Sequence, residues 1–270
     1  MPERSAIARD GVELVYWTWA GDEPAVLLLH GIGNYGRYWS FFADAIGGRL
    51  RLVAPDARGH GESGRPADGY APAEFVADAL AILDANGIER AVVVGHSMGG
   101  FHAMRLATEH PDRVRSLVIV DASPEPLAEG STRATRLLTE RPARFGSREE
   151  ARAYLARTSP GYRDEVYENR LSWGFREDGG ALMWRSDSHA LGKIIASRAS
   201  HAERWALLEA ISCPTLVVRG TRSNVLSEEV AQRMASALAD GRLMDVDSGH
   251  NVALERPREL ADAVVAIARR

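Results

Sequence analysis

Apolar and polar positions along most of the chain alternate between two kinds of period. Short continuous apolar runs, such as "PAVLLLHG" and "RAVVVGHS", end at polar and glycine residues and are typical of strands covered on both faces of a sheet. Between them, "APAEFVADALAILDANG" places Val76, Leu80 and Leu83 on one helical face. Pro72 near its start and Gly87 just past its end favour a helix bounded there. Strands that alternate with helices predict an α/β fold with a mainly parallel, doubly wound sheet.

The alternation stops for about 85 residues after the strand that ends at Asp121, which is too long for an ordinary loop. Helical patterns without strands fill this interval, and strands return with "PTLVVRG". We therefore expect an α/β core made of residues 1–122 and 209–270. Residues 123–208 are expected to form a helical cap inserted after that strand.

Composition narrows the class of protein. The chain has 270 residues, 45% of them hydrophobic, and a formal net charge of −4, so there is no electrostatic reason to expect nucleic acid. The N-terminus lacks the apolar segment of a secretory signal, and no apolar run approaches the length of a membrane span. The lone Cys213 excludes an intrachain disulfide. We expect a cytoplasmic protein with no membrane partner, and the oligomeric state is left open.

The segment "VVVGHSMGG" holds the first candidate for chemistry. Gly95, Ser97 and Gly99 follow a predicted strand and precede a predicted helix, with His96 inside the turn. The pattern alone is compatible with a plain tight turn. At a sharp strand-to-helix turn, however, small neighbours let a serine hydroxyl stand above the sheet as a nucleophile.

A serine nucleophile needs a base, and His250 is the best candidate. It lies in "VDSGHNVALERP", between a strand-like segment and the final helix, which places it at the carboxyl edge of the sheet. We expect His96 to point away from Ser97, and His30 and His60 to organise glycine-rich loops. The other histidines are expected on helix surfaces or in the cap, namely His102, His110, His189 and His201.

The tetrahedral intermediate of acyl transfer needs two hydrogen-bond donors for its oxyanion. The backbone N–H of Met98, directly after the nucleophile, is one candidate. The backbone N–H of Ile32 in the "HGIGN" loop, which follows His30, is the other, because Gly31 and Gly33 allow that loop to approach closely.

Four segments in order, "LLLHGIGN", "PDARGHGESGRP", "GHSMGG" and "GHNVALERP", resemble the landmark segments of the α/β-hydrolase superfamily. The resemblance extends from Val12 to about Ile267 and is weakest across the cap. It is most similar to the branch with a compact helical cap, which contains esterases, C–C bond hydrolases and cofactor-free perhydrolases. The resemblance is specific for the fold and poorly specific for the substrate.

One position departs from that resemblance. The acid of the superfamily usually follows the strand written here "TLVVRG", where this chain has Ser223 and Asn224. Three hypotheses compete. The acid has moved to Asp121 at the end of the preceding strand, or Asn224 orients His250 without a charge, or catalysis has been lost. We favour Asp121, although the alternative that it only forms a turn in "DASP" stays open.

The leading functional hypothesis is a serine hydrolase of small carboxylic esters with Ser97, His250 and Asp121 as a triad. The same nucleophile could instead serve C–C bond hydrolysis, lactone opening or peracid formation. A third hypothesis is a non-catalytic protein of this fold that binds a small ligand. Trp173 and Trp184 in the cap are candidate pocket residues. The histidine spacing predicts no metal site, and no cofactor is expected.

Overall fold

Eleven strands and eleven helices are present in a computed structural model that describes residues 1–270. The strands are β1 (Glu3–Arg9), β2 (Val12–Trp19), β3 (Val26–Leu29), β4 (Leu52–Pro55), β5 (Ala91–His96), β6 (Val114–Val120), β7 (Arg144–Phe145), β8 (Phe175–Asp178), β9 (Ala181–Trp184), β10 (Thr215–Gly220) and β11 (Gly241–Val246). The helices are α1 (Ser40–Ile46), α2 (Pro72–Ala85), α3 (Met98–Glu109), α4 (Ala128–Thr139), α5 (Arg148–Thr158), α6 (Asp164–Trp173), α7 (Ser188–Ala196), α8 (His201–Glu209), α9 (Glu228–Ala237), α10 (Val252–Glu255) and α11 (Pro257–Ala268).

Eight strands form one sheet in the order β1-β2-β4-β3-β5-β6-β10-β11. The first two strands form an antiparallel hairpin, and β2 pairs antiparallel with β4. The remaining pairs are all parallel, from β4 through β3, β5, β6 and β10 to β11. The predicted, mainly parallel sheet is therefore confirmed.

Helices cover both faces of this sheet, and one apolar core lies under each layer. On one face α2, α3, α8 and α9 pack over the sheet, and on the other face α1, α10 and α11 do so. The central strand β5 shows why its sequence is continuously apolar. Val93 points into the first core, whereas Val92 and Val94 point into the second, so neither face of the strand contacts water.

The segment between β6 and β10 contains α4 to α8, as the helical patterns predicted, and also a small antiparallel sheet in the order β7-β9-β8. The expectation of a segment without strands is thus wrong. A tight turn at Gly179 and Gly180 joins β8 to β9, and both glycines have positive φ angles of 56° and 79°. Two adjacent glycines are a hairpin signal, but the flanking strands are too short to show a clear two-residue period.

Short strands of this kind persist because they share an apolar cluster with the helices beside them. Phe145, Leu182 and Phe175 from the three strands pack with Leu155 of α5 and Leu171 of α6. The segment therefore has its own small core, separate from the two cores under the main sheet. No helix of the protein has both the length and the apolar content that crossing a bilayer requires.

Candidate active site

Ser97 lies at the junction of β5 and α3 in a strained backbone conformation, with φ 53° and ψ −115°. A residue other than glycine rarely adopts such backbone angles unless the surrounding structure imposes them. The neighbouring glycines show what imposes them: a Cβ atom on Gly95 would lie 2.3 Å from the carbonyl oxygen of Gly99. A Cβ atom on Gly99 would lie 2.2 Å from the carbonyl oxygen of Leu29 in β3. The strand and helix can approach this closely only because both positions lack side chains.

His250 reaches the same edge of the sheet from the loop after β11. Its Nδ1 lies 2.6 Å from Oδ2 of Asp121, directly after β6. Asp121 is fully buried and has a positive φ of 45°, which turns its side chain back toward the histidine. The structure therefore brings together the histidine and the acid that the sequence analysis favoured, although they are far apart in the chain.

The carboxylate of Asp121 accepts two further hydrogen bonds from the end of β10. The backbone N–H of Gly220 donates to Oδ1 at 3.0 Å, and the hydroxyl of Ser223 donates to Oδ2 at 2.5 Å. Three donors, His250 included, thus compensate a buried carboxylate for the water that it has lost. Ser223 stands where the superfamily usually has its acid, and sequence reasoning noted the missing charge there without recognising the donor.

Asn224 does not contact the histidine. Its backbone oxygen instead packs against α4, where a Cβ atom on Gly130 would lie 1.9 Å from it. Nδ1 of His250 already contacts Asp121, which weighs against the hypothesis that Asn224 orients this ring.

The "HGIGN" loop runs beside the serine. The backbone N–H of Asn34 donates to the carbonyl of Gly31 at 3.1 Å, and Gly33 has a φ of 78°, so the loop forms a tight turn. A Cβ atom on Gly31 would lie 3.2 Å from Cβ of Ser97. The backbone N–H of Ile32 donates to no group of the protein, and the same holds for the N–H of Met98 at the start of α3. Two free donors thus flank the serine.

Two buried histidines hold the loops of the site in place. Nε2 of His30 accepts the backbone N–H of Ala57 at 3.0 Å, while Nδ1 lies 2.8 Å from the carbonyl oxygen of Gly31. Burial lowers the pKa of His30 to about 4, so the ring is neutral and keeps one donor and one acceptor. Nε2 of His96 lies 2.9 Å from the carbonyl oxygen of His250. That the ring points away from Ser97 stays a prediction.

The buried side chain of Asp56 secures the "RGHGES" loop. The carboxylate of Asp56 accepts the backbone N–H groups of Gly36 at 2.5 Å and Glu62 at 2.8 Å. Burial raises the pKa of this carboxyl to about 6. Asp56 is thus a loop anchor that does not face the serine.

Ser97 and His250 open into one cavity of about 500 Å³. The hydroxyl of Ser97 makes no hydrogen bond with His250, and such contacts often tighten only when substrate binds. Trp184 lines the cavity, and its indole N–H donates to the carbonyl of Pro142 at 2.8 Å. A cavity of this volume is sufficient for a small organic molecule.

Two expectations about side chains around the cavity need correction. Trp173 does not line it, and its ring instead packs edge-on against Trp17, with the ring centroids 5.0 Å apart. His102 does line it, although we expected it on a helix surface. Its ring stacks on Phe75 at 4.3 Å, and burial lowers its pKa to about 3. The 3.6-residue period of a helix does not by itself tell a face that lines a cavity from a face exposed to solvent.

Comparisons with known proteins agree with this architecture. Residues 24–257 match the family described as alpha/beta hydrolase fold. The 3-hydroxybutyrate-oligomer hydrolase of Cupriavidus necator is 30% identical over 273 residues, which cover 93% of this chain and 91% of that protein. An esterase of Mycobacterium tuberculosis is 30% identical over 262 residues, covering 91% of this chain and 83% of that one.

A solved structure gives the same result for the fold. The crystal structure of E-2-(acetamidomethylene)succinate hydrolase has a TM-score of 0.91 at 23% sequence identity, over the whole length of both chains. The chain therefore belongs to the α/β-hydrolase family, and the resemblance found in its sequence is confirmed.

Proposed function

We propose that this protein is a serine hydrolase that cleaves small carboxylic esters. The observation that carries the proposal is the 2.6 Å contact between Nδ1 of His250 and the buried carboxylate of Asp121, at the cavity that Ser97 lines. With Nδ1 engaged by a carboxylate, the other ring nitrogen is the one free to take a proton from a hydroxyl.

In this proposal the hydroxyl oxygen of Ser97 attacks the acyl carbon of the ester, and His250 accepts its proton. The N–H groups of Ile32 and Met98 stabilise the negative charge that develops on the carbonyl oxygen. Asp121 stabilises the imidazolium that forms. When the intermediate collapses, His250 gives its proton to the departing alcohol and leaves an acyl group on Ser97.

Water then removes the acyl group from Ser97, with the proton transfers of the first half repeated. His250 removes a proton from water, the resulting oxygen attacks the acyl carbon, and the carboxylic acid leaves as the proton returns to Ser97. We also propose that residues 123–208 act as a cap over this chemistry, since α4 and α7 supply part of the cavity wall.

The names of two relatives support ester hydrolysis as the reaction. The relative from Cupriavidus necator is named as a hydrolase of 3-hydroxybutyrate oligomers, and the relative from Mycobacterium tuberculosis is named as an esterase. The hypothesis of a non-catalytic binding protein rested on the missing carboxylate at Ser223, and the contact between His250 and Asp121 weighs against it.

A labelling experiment combined with a substrate panel tests the proposal. A fluorophosphonate should label the wild-type protein at Ser97 with one equivalent, and Ser97→Ala should take up none. The panel contains 4-nitrophenyl esters, lactones and ring-fission diketones, so that C–C hydrolysis and lactone opening would be seen if they dominate. Absence of both label and turnover, with the fold intact by circular dichroism, would contradict the proposal.

A further inference from the structure

The charged side chains that line the cavity all carry one sign. Five arginines reach the wall and no aspartate or glutamate does, although the chain as a whole is acidic. The arginines are Arg105, Arg141, Arg170, Arg198 and Arg204. A concave surface lined by one sign of charge focuses its field and raises the local concentration of ions of the opposite sign.

Arginines elsewhere in the interior are paired with carboxylates. Arg58 bonds Asp78 through two nitrogens at 2.7 Å each, and Arg219 bonds Asp245 in the same way at 2.9 Å. That is the usual condition of a buried charge, because a guanidinium cannot escape burial by losing its proton.

Arg204 breaks this rule. It is only 7% exposed, yet its guanidinium forms no ion pair and donates no hydrogen bond to the protein. Its guanidinium instead stacks on the ring of Phe101, whose centre lies 4.7 Å from the guanidinium carbon. Stacking on an aromatic ring stabilises a cation but leaves its N–H donors free.

A second unpaired cation lies close by. Arg198, an exposed residue in the turn between α7 and α8, lines the mouth of the same cavity without an ion pair or a side-chain hydrogen bond. Burial lowers the pKa of Arg204 and the charge of Arg198 lowers it further, while the charge of Glu203, which forms no ion pair with Arg204, acts in the opposite sense. Two neighbouring like charges on a cavity wall are stabilised when an anion binds between them.

We propose that Arg204 and Arg198 form an anion-binding subsite, and that the substrate is an ester bearing a carboxylate or phosphate at the end remote from the scissile bond. This inference rests on the proposed ester hydrolysis and specifies its substrate class. Phe101 lies one turn after Ser97, so its backbone is displaced about 6 Å along the axis of α3 from that of the nucleophile, and the guanidinium of Arg204 stacks on its ring. The subsite is thus separate from the two oxyanion donors and reads a second group of the substrate.

Matched substrates test this inference. The 4-nitrophenyl monoester of adipic acid carries a free carboxylate, and methyl 4-nitrophenyl adipate is the neutral counterpart of nearly the same shape. We expect a higher kcat/KM for the anionic ester. In Arg204→Gln the ratio of the two kcat/KM values should fall about ten- to a hundredfold, the loss typical of a hydrogen bond to a charged group. Esters of succinic and suberic acid give the length dependence, and 4-nitrophenyl 5-phosphonopentanoate, which carries a phosphonate in place of the remote carboxylate, distinguishes phosphate from carboxylate.

Two further variants make the comparison sharp. Arg198→Gln should lower the same ratio, whereas Arg258→Gln, which removes an exposed and unpaired arginine of α11 outside the cavity, should leave it unchanged. The ratio is insensitive to a fraction of misfolded protein, because both substrates are measured on one sample. A wild-type ratio at or below one, or the same ratio in Arg204→Gln, would overturn the subsite.

Binding to Ser97→Ala separates this inference from the hydrolase proposal. Calorimetry with monomethyl adipate and dimethyl adipate should give binding of the anionic compound that Arg204→Gln abolishes. If that binding is found but the wild-type enzyme hydrolyses no ester, the subsite stands and the proposed reaction fails. If esters are hydrolysed without preference for charge, the reaction stands and the subsite fails.

Discussion

At the scale of single residues, the main result is where the carboxylate lies. Asp121 follows β6, and Ser223 follows the neighbouring strand β10 at the place where an acid was expected. Because β6 and β10 are adjacent and parallel, their ends meet at one edge of the sheet, and either can present a side chain to His250. The hydroxyl of Ser223 then becomes a donor to the carboxylate.

Asp121→Asn tests the role of that carboxylate. We expect kcat to fall by roughly three to four orders of magnitude while the fold is retained, because an amide cannot stabilise the imidazolium or hold the required tautomer. Steady-state kinetics on 4-nitrophenyl acetate measure the loss. Asn224→Ala, which changes a side chain without contact to His250, is the matched control and should retain nearly full activity. Equal activity of Asp121→Asn and wild type would refute the assignment.

The double variant Asp121→Asn with Ser223→Asp tests whether the two strand ends are interchangeable. Oγ of Ser223 lies 2.5 Å from the oxygen that contacts His250, so a carboxylate placed at 223 is within reach of the ring. We expect kcat about tenfold or more above that of Asp121→Asn alone, since the counter-charge is restored. Ser223→Asn in the same background supplies the control without charge. No gain from Ser223→Asp over that control would show that position 223 cannot serve the histidine.

At the scale of elements, the junction of β5 and α3 positions the chemistry. A strand and a helix meet there with almost no space between their backbones, and this contact holds Ser97 in its strained conformation. Met98 is the first residue of α3, so its free N–H lies at the positive end of the helix dipole, beside the cavity that Met98 lines. Close packing of the two backbones therefore requires glycine at positions 95 and 99, and the same packing fixes the backbone of Ser97.

Gly95→Ala should disrupt this junction. The added methyl group would lie 2.3 Å from a backbone oxygen, which cannot move without shifting α3. We expect the free energy of unfolding to fall by about 1–3 kcal/mol, as in other overpacked sites. Urea denaturation measures the change. Gly192→Ala in α7 is the control, because nothing lies within 4 Å of its Cβ, and replacing a helical glycine should raise stability by about 0.5–1 kcal/mol. Equal effects of the two substitutions would show that crowding is not the cause.

At the scale of the whole molecule, several histidines are buried and neutral. Burial lowers the pKa of His30 to about 4, and burial lowers the pKa values of His60 and His102 to about 3. In the unfolded chain these rings titrate near 6.5, so unfolding takes up protons below that pH. Their contribution to stability is complete above pH 6.5 and is lost as the pH falls toward 4. The raised pKa of Asp56 acts in the opposite sense between about 4 and 6, but one carboxyl offsets only one histidine.

The free energy of unfolding should therefore decrease steeply on acidification. Each buried histidine contributes up to about 1.4 kcal/mol per pH unit, and urea denaturation from about pH 7.5 to about pH 5 measures the sum. His102→Phe keeps a ring against Phe75 and removes one titrating group, so its slope should be shallower by about 1 kcal/mol per pH unit. His189→Gln changes an exposed histidine and should leave the slope as in wild type. A wild-type slope in His102→Phe would contradict the account.

Much of the architecture could be predicted because the spacing of apolar residues within a segment reflects the secondary structure that the segment forms. The continuous apolar run of β5 and the one-sided pattern of α2 each correspond to an element of the predicted kind. The small sheet of residues 144–184 was missed, because its strands of two to four residues carry too few positions for a period to emerge. The wrong expectations for Trp173 and His102 have a related cause, since a helix presents several faces and only its neighbours decide which one borders a cavity.

The amino-acid sequence alone determined the class of fold, the order of the motifs, and the candidate nucleophile and base. These follow from patterns within a few residues, which depend on steric rules that act locally. Tertiary structure alone decided which group pairs with His250, what Ser223 does, and which arginines lack a carboxylate. Those properties depend on distances between residues far apart in the chain, and packing brings such residues together only when the whole sheet forms.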